Sequence, residues 1–208
     1  VAQPDAASTA VATPPAVSQN GKKPASAKAV PKAQAVRQAA SGNGAGIAPS
    51  QEEVNTLVAL YNDGRFVEME AIAGSFTQRF PKHGFGWKAL GAVLQQQGRI
   101  ADALAPMQTA VELLPGDAEA HTNLGIVLQH HGRVAEAEAS LRRALRLKPD
   151  LAAAHFNLGN TLNEQNRLPE AEASFRRALQ IKPDYVEAHI NLGVIAEDLE
   201  RLPEAEAS

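Results

Sequence analysis

Residues 118–151 read AEAHTNLGIVLQHHGRVAEAEASLRRALRLKPDL, and residues 152–185 repeat them as AAAHFNLGNTLNEQNRLPEAEASFRRALQIKPDY. A third copy opens at residue 186 as VEAHINLGVIAEDLERLPEAEAS. Pro81, Pro115, Pro149 and Pro183 carry the same 34-residue period back towards the start of the chain. A fixed period of this length means stacked supersecondary units, each too small to bury its apolar side alone.

Each unit reads as two helices. Leu124, Gly125 and Leu128 share one face of the first; Ala137, Leu141, Ala144 and Leu145 share one face of the second. Between them Gly132 suits a helix end that needs a left-handed residue. The second helix opens at Val134, and later copies place Pro169 and Pro203 in that first turn, where a missing N–H costs nothing. Arg142, Arg143, Arg146 and Lys148 sit towards its C-terminus, the favourable end for positive charge. Lys-Pro-Asp then stops it, and Asp184 with Glu187 reads as a capping box for the next helix. The expected fold is all-α, a solenoid of antiparallel helix hairpins.

The packing register follows from size. Gly91, Gly125, Gly159 and Gly193 recur inside the first helices, where glycine costs about 1 kcal/mol against alanine. Close approach of the partner helix offsets that cost, and Ala103, Ala137, Ala171 and Ala205 form the matching small series. Leu124, Leu158 and Leu192 are expected to be buried. Pro106 falls inside a second helix and should remove one hydrogen bond and kink it.

The period divides the rest of the chain. Residues 50–83 form a diverged first repeat with Leu57 at the glycine position, and residues 84–117, 118–151 and 152–185 form full repeats. Residues 186–208 form a truncated one, expected to fray or self-associate. Residues 1–49 are rich in Ala, Pro, Ser, Gly and Lys without an aromatic residue, and read as a disordered linker. They hold five of the 20 basic residues and one of the 23 acidic ones. A basic tail touching nucleic acid or anionic lipid is the thinner reading of that segment. The repeats are mildly acidic, which argues against binding a phosphate backbone. No cysteine is present, in keeping with a reducing, cytoplasmic setting. No apolar run approaches the ~20 residues of a membrane span, and no segment resembles a signal peptide. The first residue is Val rather than Met, so the natural start is expected to lie upstream or to have been removed.

No catalytic, cofactor or metal constellation stands out. His121, His155 and His189 recur with the period at the position of Trp87, and read as packing residues in separate repeats. The more informative series is Asn123, Asn157 and Asn191, each one residue before a buried leucine and turned away from the packed face. Thr122, Phe156 and Ile190 precede these asparagines. Ile126, Asn160, Val194, Gln129, Asn163 and Glu197 continue the same side. A row of amides can pair with both N–H and C=O of an extended peptide, or it can bond to the neighbouring helix; both readings stay open.

The spacing and residues of positions 50–208, with Trp87, Leu90, Gly91, Ala103, Ala110 and Pro115 in the first full repeat, resemble the tetratricopeptide repeat family. The resemblance implies a right-handed solenoid whose first helices line an inner wall that binds a partner protein or peptide. The motif AHxNLG with EAExSxRRAL and KPD is similar to the repeats of O-linked N-acetylglucosamine transferases and SPINDLY-like bacterial proteins. There it implies that Asn123, Asn157 and Asn191 grip a substrate backbone, with Ala89 breaking the row. It also implies a substrate-recruiting part of a larger bacterial glycosyltransferase or sulfotransferase; a stand-alone scaffold is the alternative. The family's clamp for a terminal carboxylate is matched by Lys88 and Asn123, but Ala153 and Asn157 depart from it. The expected groove residues are therefore Asn123, Asn157, Asn191, Asn160, Asn163, Phe156, Lys88 and Gln129, with no cofactor, nucleic acid or membrane.

Overall fold

The computed structural model describes residues 48–206, with side chains through residue 197. The expected linker lies, up to residue 47, outside them. The described residues form nine helices and no strand: α1 (Gln51–Asn62), α2 (Phe66–Arg79), α3 (Gly84–Gln96), α4 (Ile100–Leu113), α5 (Ala118–His130), α6 (Val134–Leu147), α7 (Ala152–Glu164), α8 (Leu168–Ile181) and α9 (Val186–Glu206). They are the expected hairpins: α1 packs on α2, α3 on α4, α5 on α6 and α7 on α8, and each second helix also packs on the next first helix. Successive first helices approach one another, α3 to α5 and α5 to α7, and the second helices make no comparable approach. That asymmetry puts α1, α3, α5, α7 and α9 on the inner side of a curved stack.

The hairpin turns have one construction. Gly64, Gly98, Gly132 and Asn166 adopt φ of 69°, 74°, 69° and 58°. The next residue in each turn, Arg65, Arg99, Arg133 or Arg167, sends its N–H back 2.9 Å to the carbonyl of Leu60, Leu94, Leu128 or Leu162. This six-residue closure with a left-handed residue inside it is the Schellman stop. In the last repeat Glu200 stands at the left-handed position. A side chain with a Cβ disfavours that conformation, and α9 runs on through residue 206. The turn that the period places at residues 199–201 is absent, and Pro203 lies inside α9. The capping box also falls elsewhere. Asp184 precedes the start of α9 by one residue too many, whereas Ser50 and Glu53 form the reciprocal pair at the start of α1.

The core explains the glycine series. A Cβ on Gly91, Gly125 or Gly159 would lie 2.7, 2.6 and 2.7 Å from the side chains of Met107, Leu141 and Phe175. Each glycine is thus the floor of a socket for one large residue of the partner helix. In the first repeat the sizes are exchanged: Leu57 stands at the glycine position, and Ala73 stands at the position of Met107, both fully buried. One large and one small residue fill the contact either way, so the repeat that lacks the glycine keeps the volume. Leu124 and Leu158 are buried as expected, and Leu192 is half-buried against the core cluster that contains Leu158, Leu162 and Phe175. Around Gly193 nothing described comes within 4 Å.

The aromatic-position series has a polar purpose that packing alone does not supply. Trp87 donates its Nε1–H to Pro81 O at 2.9 Å. His121, His155 and His189 place Nε2 at 3.2, 2.9 and 2.8 Å from the carbonyls of Pro115, Pro149 and Pro183. A carbonyl only accepts, so each ring carries its proton on Nε2. The bond ties the start of a first helix to the loop that precedes it. Burial pushes the pKa of His121 and His155 down; the proline carbonyls oppose the shift, and Arg143 at His121 and Arg177 at His155 reinforce it. Asp117 opposes the shift at His121, and Arg146 reinforces it. The folded state therefore binds fewer protons than the unfolded chain, whose histidines titrate near pH ~6.5. The contribution to stability is whole above that pH and is lost as pH falls towards the folded value. Thermal midpoints should drop between pH 7.5 and 5.5. The His121→Trp, His155→Trp double variant, copying Trp87, should flatten that drop; an unchanged slope would refute this origin.

Candidate functional site

The inner row carries an open cleft of 330 Å³ between α1, α3 and α5. Leu57, Val58, Tyr61 and Phe85 give it an apolar floor; Lys88, Glu119 and Asn123 stand at its polar side. Tyr61 is held by an edge contact to Phe66, with ring centroids 6.0 Å apart, and its hydroxyl accepts from Gln96 Nε2 at 3.1 Å. Val58 remains 46% exposed, an apolar side chain left open to a ligand.

Lys88 does not project as a free cation. Its Nζ lies 2.6 Å from Asp117 and 3.4 Å from Glu119. Asp117 also caps α5, its Oδ1 accepting from the N–H groups of Glu119 and Ala120. Burial pushes the Asp117 carboxyl up, but Lys88 and the capping N–H groups outweigh it and hold the group below the usual carboxylate range. A carboxylate at both the cap and the ion pair fixes the lysine across two repeats.

The asparagine series divides. Asn123 lines the cleft, and its side chain has no hydrogen-bond partner among the described residues. Asn157 donates to Ala153 O in its own helix at 2.7 Å. Asn191 donates to Asn160 Oδ1 at 2.7 Å, joining α7 and α9. Gln129 donates to Glu164 at 3.2 Å. Phe156 leans on Phe175 and Tyr185, with centroids 5.7 and 4.7 Å away, and Asn163 is exposed. Thr122 is turned inward instead, buried and bonded to Ala118 O. The structure thus brings Lys88 and Asn123 together in the cleft, and Asn160 and Asn191 together further along. Val58, Tyr61 and Phe85 were not among the expected site residues. Their signal was the period itself: Val58 shares the register of Ile126, Asn160 and Val194, and Phe85 that of Glu119.

Among the described residues no group of three or more His, Asp or Glu side chains could hold a metal ion, and no helix is long and apolar enough to cross a membrane.

The tetratricopeptide repeat profile matches residues 88–152, 131–186 and 156–208, more than half of the chain. The chain belongs to the tetratricopeptide repeat family. No curated protein matches this repeat protein in sequence. Solved structures share its fold at low identity. The crystal structure of MamA is 21% identical with a TM-score of 0.63, over 77% of this chain and 91% of that one. YrrB, described as a repeat protein with an unusual peptide-binding site, is 19% identical with a TM-score of 0.61, over 74% and 79%. The first repeat domain of Spaghetti (RPAP3), bound to the HSP90 peptide SRMEEVD, is 22% identical with a TM-score of 0.54, over 56% and 93%.

Proposed function

We propose that this array binds an extended segment of a partner protein along its inner row, with the cleft between α1, α3 and α5 as the anchoring point. The cleft carries the proposal: an open apolar floor beside the Asn123 amide can hold one side chain and, next to it, one peptide group of the same ligand. YrrB and the Spaghetti domain bind peptides on the same fold, which supports the reading. The asparagine row enters it through Asn123, whose amide is not taken up by a neighbour; Asn157 and Asn191 must exchange an internal bond for a ligand one.

The finer form of the proposal is a substrate-recruiting part of a larger bacterial, cytoplasmic glycosyltransferase or sulfotransferase, and it rests on the repeat motif. A stand-alone scaffold uses the same groove. Contact with a second copy through α9 has support in the exposed side chains of Val186, Ile190 and Val194.

Selection from a displayed random-peptide library tests the groove. Binders should be enriched on the wild-type chain and lost on Val58→Asp, which puts a charge on the apolar floor, by about tenfold or more in affinity. Asn123→Ala should weaken the same binders less, by the ~0.5–1.5 kcal/mol of one hydrogen bond. Binders that ignore Val58→Asp, with the melting temperature unchanged, would remove the cleft from the proposal.

A further inference from the structure

The charge of the inner row is one-sided. Through residue 197, the helices α1, α3, α5, α7 and α9 contain one lysine or arginine, Lys88, and six acids: Glu52, Glu53, Glu119, Glu164, Glu187 and Glu197. Lys88 is already compensated by Asp117 and Glu119, and its side chain is only 18% exposed. Glu53 is paired with Arg79 at 2.7 Å. Glu119, which shares the wall of the cleft, remains 67% exposed. Glu119 and Glu187 occupy the register of Phe85, and Glu197 that of Gln129, so carboxylates recur at two registers of the inner helices, in excess over the single lysine. Through residue 197 no arginine of the array lies on an inner helix: Arg65, Arg99, Arg133 and Arg167 stand in the hairpin turns, and its others lie on second helices. Arg142, Arg143, Arg146, Arg176 and Arg177 are all on α6 and α8 and exposed.

We infer that the ligand of the inner row is a basic segment, an extended peptide with a large aliphatic or aromatic side chain flanked by lysine or arginine, and that acidic carboxyl-terminal tails are excluded. This rests on the groove reading above and adds the ligand's chemistry to it. An acidic tail needs cations that project into the groove, and the one lysine or arginine on the inner helices through residue 197, Lys88, is locked between two carboxylates. A basic segment finds the opposite: an apolar socket for its anchor, the Asn123 amide for its backbone, and the exposed Glu119 carboxylate on the wall beside them. Such charge matching mainly sets partner choice and association rate, and it weakens with salt because the groups are exposed.

Two fluorescent peptides with the same central leucine separate the possibilities. One carries lysines on both sides of the leucine and an amidated end; its twin carries glutamates and a free carboxylate. Fluorescence anisotropy on the whole chain at low salt should show the basic peptide bound about tenfold tighter or more, with the gap narrowing at 0.5 M NaCl. Glu119→Lys with Glu164→Lys, both at exposed sites, should reverse the preference, and Val58→Asp should weaken both peptides. Equal or tighter binding of the acidic twin, still lost in Val58→Asp, overturns this inference and leaves the groove standing. Binding of either peptide that Val58→Asp does not touch, or no binding of either, overturns both.

Discussion

Gly125→Leu should collapse the stability of the array, and Leu141→Ala in the same chain should restore most of it. A Cβ at residue 125 would lie 2.6 Å from Leu141 Cγ and 2.9 Å from its Cδ2. The branch point of a side chain cannot swing aside as its tip can, so α5 and α6 must separate. Overpacking of this kind costs about 1–3 kcal/mol, and here the upper end applies, because the contact is central and fully buried. Leu141→Ala alone should cost about 2–5 kcal/mol through the cavity it leaves. The double variant recreates the pairing that the first repeat uses, Leu57 over Ala73. It should melt within a few degrees of wild type, recovering most of the ~5 kcal/mol or more that the two single variants lose together, a coupling above the usual ~0.5–3 kcal/mol for touching residues. Urea and thermal unfolding followed by circular dichroism measure it. Additive losses in the double variant would show that the exchange of sizes at 57 and 73 is not what holds that hairpin together.

This pair also shows what could be read before the fold was known. The 34-residue period, the two-helix unit and the buried glycine face need only apolar spacing, and the sequence carries that openly at Leu124, Gly125 and Leu128. The exchange at Leu57 and Ala73 was equally present, but a glycine-position residue read alone looks like a lost feature rather than half of a swapped pair. The turn expected at residues 199–201 is absent for a different reason. The period marks where a turn belongs, while the left-handed residue decides whether one forms, and Glu200 is not such a residue. Side-chain pairings on the inner row were the least legible. That Asn191 bonds to Asn160, and that Lys88 is held by Asp117, depends on which rotamers meet across repeats separated by about thirty positions. Residue types at a fixed spacing specify a row; they do not say which of its members are already satisfied by each other. The candidate site was therefore half visible: Lys88 and Asn123 were picked out, and the apolar floor beside them was not.

Pro106→Ser should stabilise the protein by about 2 kcal/mol, which raises the melting temperature of a chain this size by ~4–8 °C. Pro106 is buried in the middle of α4, and the helix continues past it to Leu113. It has no N–H to give to the carbonyl of Asp102, and a proline in a helix interior costs about 3 kcal/mol. The next two repeats place serine at this position. Ser140 lies on α6, and its hydroxyl donates to His121 O, across the hairpin on α5, at 2.9 Å. One period earlier the corresponding acceptor is the carbonyl of Trp87. Ser174 on α8 donates instead to Glu170 O of its own helix, at 2.9 Å. A serine at 106 in the Ser140 geometry would restore a bond within α4 and add one between α3 and α4, against the loss of a few buried methylenes. Pro106→Ala separates the two gains, because it restores the N–H without the hydroxyl, and should recover the larger share. If Pro106→Ser melts at or below the wild-type temperature, the bend imposed by the ring is matched by Met107 and the Gly91 socket beneath it, and the proline is part of how that hairpin seats rather than a fault in it.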